Sequence, residues 1–74
     1  MTTELKTIAI RLADLKAQGA AVLVASVGND PNLIQGRLMG YVCAVEDGKV
    51  GRREAEIKEL CERVITLIRE GKAA

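Results

Sequence analysis

The chain has no histidine, no tryptophan and no phenylalanine, and only one tyrosine, one proline and two cysteines among its 74 residues. Each shortage removes a class of function. Without histidine, the usual base that activates a serine or cysteine nucleophile is missing, and a zinc site would lose half of its customary ligands. Cys43 and Cys61 lie too far apart for a Cys-x-x-Cys metal or redox pair. A small oxidised domain normally carries more bridges, so both thiols are expected to be reduced and buried as small apolar residues. No metal and no cofactor are expected.

Long apolar runs are also lacking. The longest stretch without charge, residues 17–29, is shorter than the roughly 18–20 residues that span a bilayer as a helix. The N-terminal segment has no basic n-region, and Arg11, Asp14 and Lys16 interrupt any secretory apolar run. These features predict a cytoplasmic chain with no membrane segment and no export signal. Eleven basic residues face ten acidic ones, a net charge of +1, too even for the footprint of a dedicated nucleic-acid binder.

What remains is a chain rich in Ala, Leu, Ile and Val, which favours helices. Its length suits one domain, residues 1–74, whose single core is marginal unless a partner extends it. Leu5, Ile8, Leu12 and Leu15 recur at three- and four-residue steps behind Thr3, a candidate N-cap. The series continues through Val22 and Ser26, so the first helix is predicted over 3–27, across Gly19. The alternative is a short strand at residues 20–27, whose β-branched residues could pair in a hairpin with the YVCAVEDGKV segment.

Asp30-Pro31 is a helix start, with Asp as cap and Pro in the first turn, and predicts a second helix over 31–46. It has two unlike faces. Ile34, Leu38, Tyr41, Val42 and Val45 are large, whereas Gly36, Gly40 and Ala44 form a stripe of small residues four apart. A third helix over 51–70 carries the stripe Ile57, Leu60, Cys61, Val64, Leu67 and Ile68, with Glu54–Lys58 and Glu59–Arg63 as favourable pairs and Gly71 as its end. The expected fold is therefore all-α, a small antiparallel three-helix arrangement. A 25-residue first helix would overhang the others, and a second copy of the chain is the simplest cover.

Candidate functional residues fall into two groups. Val22, Leu23, Val24, Val27, Gly36, Gly40 and Tyr41 are the expected self-association surface, because residues 19–28 are apolar nearly all round. Lys49, Arg52 and Arg53 sit where the third helix begins, and with Arg37 they could hold an anion or an acidic partner at free backbone amides. The carboxylates Glu54, Glu56, Glu59 and Glu62 follow a solvated face and do not suggest paired acid and base chemistry.

The segment NLIQGRLMGYVCAVED resembles the Leu-x-Gln-Gly-Arg helices of small phage-encoded helical proteins. Through IQG, the apolar run and AV it is also similar to the helical hairpin of phage proteins that sequester cyclic nucleotides, although that family's N-terminal segment is missing. The expectation is a non-enzymatic helical regulator, inhibitor or adaptor that forms a homodimer or higher homo-oligomer and binds a partner protein. The alternative is a nucleotide or nucleic-acid binder that uses the basic helix start.

Overall fold

The computed structural model describes residues 3–46 and 51–72. These form four helices, α1 Thr3–Asp14, α2 Gln18–Ala25, α3 Pro31–Glu46 and α4 Arg52–Arg69, and no strand is found among the described residues. The second and third expected helices stand as α3 and α4. The first does not: the expected helix over 3–27 is broken at Leu15–Ala17, so four helices replace three, and the strand alternative for 20–27 falls with α2.

The break is a helix-ending turn built on an unusual residue. Lys16 lies in the left-handed region with φ 62°, a place normally given to glycine because a Cβ costs about 1–2 kcal/mol there. Around it the Lys16 amide donates to the Ala13 carbonyl and the Ala17 amide to the Leu12 carbonyl, each at 2.9 Å, the paired bonds of a Schellman C-cap. Arg53 at the start of α4 then donates through Nε to the Leu15 carbonyl at 2.6 Å. That places a cation at the negative end of α1.

Tertiary packing explains why the chain accepts this turn. A continuous helix over 3–27 would be about 37 Å long, more than the 33 Å longest dimension of the whole fold. Redirection instead turns Ala20, Val24 and Val27 inward, where they join Leu5, Ile8 and Leu12 of α1, Ile34, Leu38 and Val42 of α3, and Ile57, Cys61, Val64, Ile65 and Leu67 of α4. The helices close a ring: α1 packs on α2 and α4, and α3 packs on α2 and α4. Ile65 was absent from the sequence-derived stripe. It widens the buried face of α4 beyond one ideal stripe, because α4 touches both α1 and α3.

The other boundaries follow local chemistry. Asp30 Oδ1 accepts from the Leu33 amide at 3.2 Å, and Pro31 opens α3. Gly71, at φ 71°, ends α4 with the Lys72 amide donating to the Leu67 carbonyl at 2.9 Å. Thr3 is not the cap expected of it, since it already lies within α1 and its carbonyl accepts from the Thr7 hydroxyl at 2.9 Å.

Two ion pairs tie α1 to α4. Arg11 makes a two-pronged contact with Glu56, including Nη2 to Oε1 at 2.9 Å, and Arg63 donates through Nε to Glu4 at 2.7 Å. Arg63 thus reaches across the fold to Glu4, where the sequence suggested Glu59 within its own helix, and Glu54 accepts from its neighbour Arg53 at 3.2 Å. The hydrogen bonds from Arg63 and Arg11 hold the Glu4 and Glu56 carboxyls below the usual carboxylate range, against a smaller opposing effect of desolvation. Both pairs are solvent-exposed, so each contributes little.

A depressed folded-state pKa gives stability that is present above the unfolded value, about 4.3 for Glu, and is lost as pH falls through the folded value. The melting temperature is therefore expected to hold from pH 7 to 5 and to fall below about pH 4.3. The double variant Glu4→Gln, Glu56→Gln should show a shallower acid drop in a pH series of thermal melts. An identical drop in the variant contradicts this role for the pairs.

Candidate functional site

With Ile34, Leu38 and Val42 of α3 turned into the core, the opposite side of the helix is left to solvent. That side carries Leu33, Gly36, Arg37, Met39, Gly40, Cys43 and Ala44, all exposed, of which Arg37 alone is charged. Leu33 is 50% and Met39 37% exposed. A Cβ added at Gly36 or Gly40 would meet nothing within 4 Å, so these two glycines serve no close packing among the described residues. Each mid-helix glycine lowers helix stability by about 1 kcal/mol relative to alanine without an intrachain contact that requires it.

Beside this face runs an open groove of 620 Å³ between α2 and α3, lined by Gln18, Gly19, Val22, Leu23, Arg37 and Tyr41. Its geometry follows from the broken first helix. The start of α2 lies over Tyr41, and a Cβ at Gly19 would push the Tyr41 hydroxyl aside; glycine at 19 thus serves a close approach rather than a helix end. Tyr41 is half-buried at the groove floor. Val22, 64% exposed, stands at the rim, and Arg37 and Tyr41 also border a shallower concavity with Gly40 and Ala44. Among the described residues Arg37 enters no hydrogen bond or ion pair, unlike Arg11, Arg53 and Arg63.

The expected self-association residues therefore divide. Val22, Leu23, Gly36, Gly40 and Tyr41 lie on or beside this continuous outer surface, but Val24 and Val27, 0% and 1% exposed, belong to the chain's own core. The break at Lys16 is the reason, because it turns that side of α2 inward. Leu33, Met39, Gln18 and Gly19 complete the surface and were not singled out from the sequence. Leu33 and Met39 were legible from their helical positions relative to Ile34 and Leu38, whereas Gln18 and Gly19 depend on the turn.

Of the basic residues, Arg37, Arg52 and Arg53 have different surroundings. Lys49 lies outside the described residues. Arg53 is occupied by the Leu15 carbonyl and Glu54, Arg52 borders a shallow concavity with Ala55, Leu60 and the acidic Glu56 and Glu59, and Arg37 lies in the α2–α3 groove. The cysteines differ as well. Cys61 is buried as expected, but Cys43 is exposed because it falls on the outer side of α3. Burial, with a smaller contribution from Glu62, pushes the Cys61 thiol up to about 11, which keeps it protonated and unreactive near neutrality. Among the described residues no group of three or more His, Cys, Asp or Glu side chains could hold a metal ion, and no helix is long and apolar enough to cross a membrane.

Comparison with protein-family models, with curated proteins and with solved structures finds no match. The site must speak through its own chemistry.

Two measurements check this geometry. In the folded protein one thiol, Cys43, should react promptly with a chromogenic disulfide reagent, and Cys61 only after denaturation; equal rates for both contradict the burial of Cys61. Gly36→Ala and Gly40→Ala should each raise the stability of the single chain by about 1 kcal/mol in denaturant titrations. A loss of stability would mean that a neighbour already occupies the open space.

Proposed function

We propose that this chain is a non-enzymatic helical protein that self-associates and acts by binding a partner protein through the outer side of α3 and the adjoining groove. One observation carries the reading: α3 is apolar or small on both of its sides, and only one side is covered by the chain itself. A surface helix ordinarily turns a polar side to water, and exposed apolar patches rimmed by polar residues mark interaction sites. Glycines at two successive helical turns add a second feature, since they let a neighbouring helix approach closely wherever a larger side chain would hold it off. Arg37 sits beside them, without a partner among the described residues, as a donor for a carboxylate or backbone carbonyl of the partner.

The support for a non-enzymatic role is chemical. The accessible groove is lined by a tyrosine, an arginine and a glutamine among apolar residues, and none of its described lining residues is a carboxylate or thiol that could act as base or nucleophile. Binding suits such a surface better than bond-making.

Sedimentation should show a dimer or higher oligomer at micromolar concentration, and a stable monomer there contradicts self-association. Gly40→Arg, which projects into open space, should leave the melting temperature of the chain within a few degrees of the original. It should abolish recovery of the partner that co-purifies with the unaltered protein from its source cell. Undiminished recovery would place the docking surface elsewhere.

A further inference from the structure

The junction of α1 and α2 combines several local costs that one rearrangement removes. Lys16 is held in the left-handed region at φ 62°. Ala17, the N-cap of α2, makes no side-chain capping bond. Regular bonding resumes with the Ala21 amide on the Ala17 carbonyl at 3.0 Å, so the amides of Gln18, Gly19 and Ala20, the first turn of α2, have no backbone acceptor among the described residues, although Ala20 is fully buried. The sequence across the junction, LADLKAQGAA, contains no proline and several strong helix formers.

Running α1 straight into α2 would return Lys16 to the right-handed region and exchange the two turn bonds for two regular ones. It would also give the three free amides acceptors at Asp14, Leu15 and Lys16. A single chain cannot do this, because α1 would leave its seat against α2 and α4 and expose Leu5, Ile8 and Leu12. Two chains can, if each α1 fills the place of the other.

We propose that this protein self-associates by exchanging α1 between two copies, with residues 3–25 fused into one helix about 35 Å long. The proposal rests on the self-association reading and specifies how it is achieved. Every buried contact of α1, and both pairs Arg11–Glu56 and Arg63–Glu4, re-form between chains. The outer side of α3 takes no part and stays open for the partner protein. Arg53 opposes the exchange, since it occupies the Leu15 carbonyl that the Gly19 amide would use in the fused helix.

The test couples positions 4 and 63. In the full chain carrying Glu4→Cys, Arg63→Cys and Cys43→Ser, a short bifunctional thiol reagent is applied and the products are sized under denaturing conditions; an Arg11→Cys, Glu56→Cys pair provides a second reading. Exchange predicts coupling between chains and a product of dimer mass. Lys16→Gly, which favours the left-handed turn and disfavours the fused helix, should weaken dimerisation at least about tenfold and shift the product to coupling within one chain; Arg53→Ala should move both readings the other way. A sedimenting dimer that couples only within chains overturns the exchange and leaves self-association standing. A chain that remains monomeric overturns both.

Discussion

The constraint on which this structure depends is the turn at Leu15–Ala17, where a lysine adopts the conformation usually left to glycine. Without it, α1 and α2 of a single copy would be one rod, and Leu5, Ile8 and Leu12 could not pack against Ala20 and Val24 of the same chain. With it, a short chain encloses a core of aliphatic residues and one cysteine, with no aromatic side chain fully buried in it. The same turn lays Gly19 over Tyr41 and so forms the groove. Local strain at one residue is offset by tertiary burial, and the groove is its by-product.

Much of the fold was legible because several signals agreed. Asp30 and Pro31 fix the start of α3 through a cap and a pre-set φ, Gly71 fixes the end of α4 through a positive φ, and the stripe from Ile57 to Leu67 marks the buried side of α4. The break was not legible, since Lys16 is a good helix former and the only local warning, Gly19, comes three residues late. Its glycine answers the hydroxyl of Tyr41, a contact between segments distant in sequence that no local pattern contains. The partner of Arg53 was illegible for a related reason: it caps a carbonyl of another helix, and charge spacing along the chain does not show where such an acceptor will arrive.

The outer side of α3 was partly foreseen. Its small stripe could be read from Gly36, Gly40 and Ala44, but whether that stripe packs within the chain is a three-dimensional question. The open space around both glycines answers it: the core contacts of α3 are made by Ile34, Leu38 and Val42 on the opposite side. Cys43 was misplaced by general preference, since free cysteines are commonly buried, whereas its helical position puts it beside Gly36 and Gly40. Helical geometry was the better guide there than residue type.

The turn itself can be measured directly by amide hydrogen exchange across residues 12–24, at a dilution where a single copy of the chain is present. The structure predicts slow exchange at Ala17, whose amide is bonded to Leu12, fast exchange at Gln18 and Gly19, which are exposed and lack acceptors, and slow exchange again at Val24. Uninterrupted slow exchange from Leu12 to Val24 would contradict the break, and with it the origin of the core and of the groove.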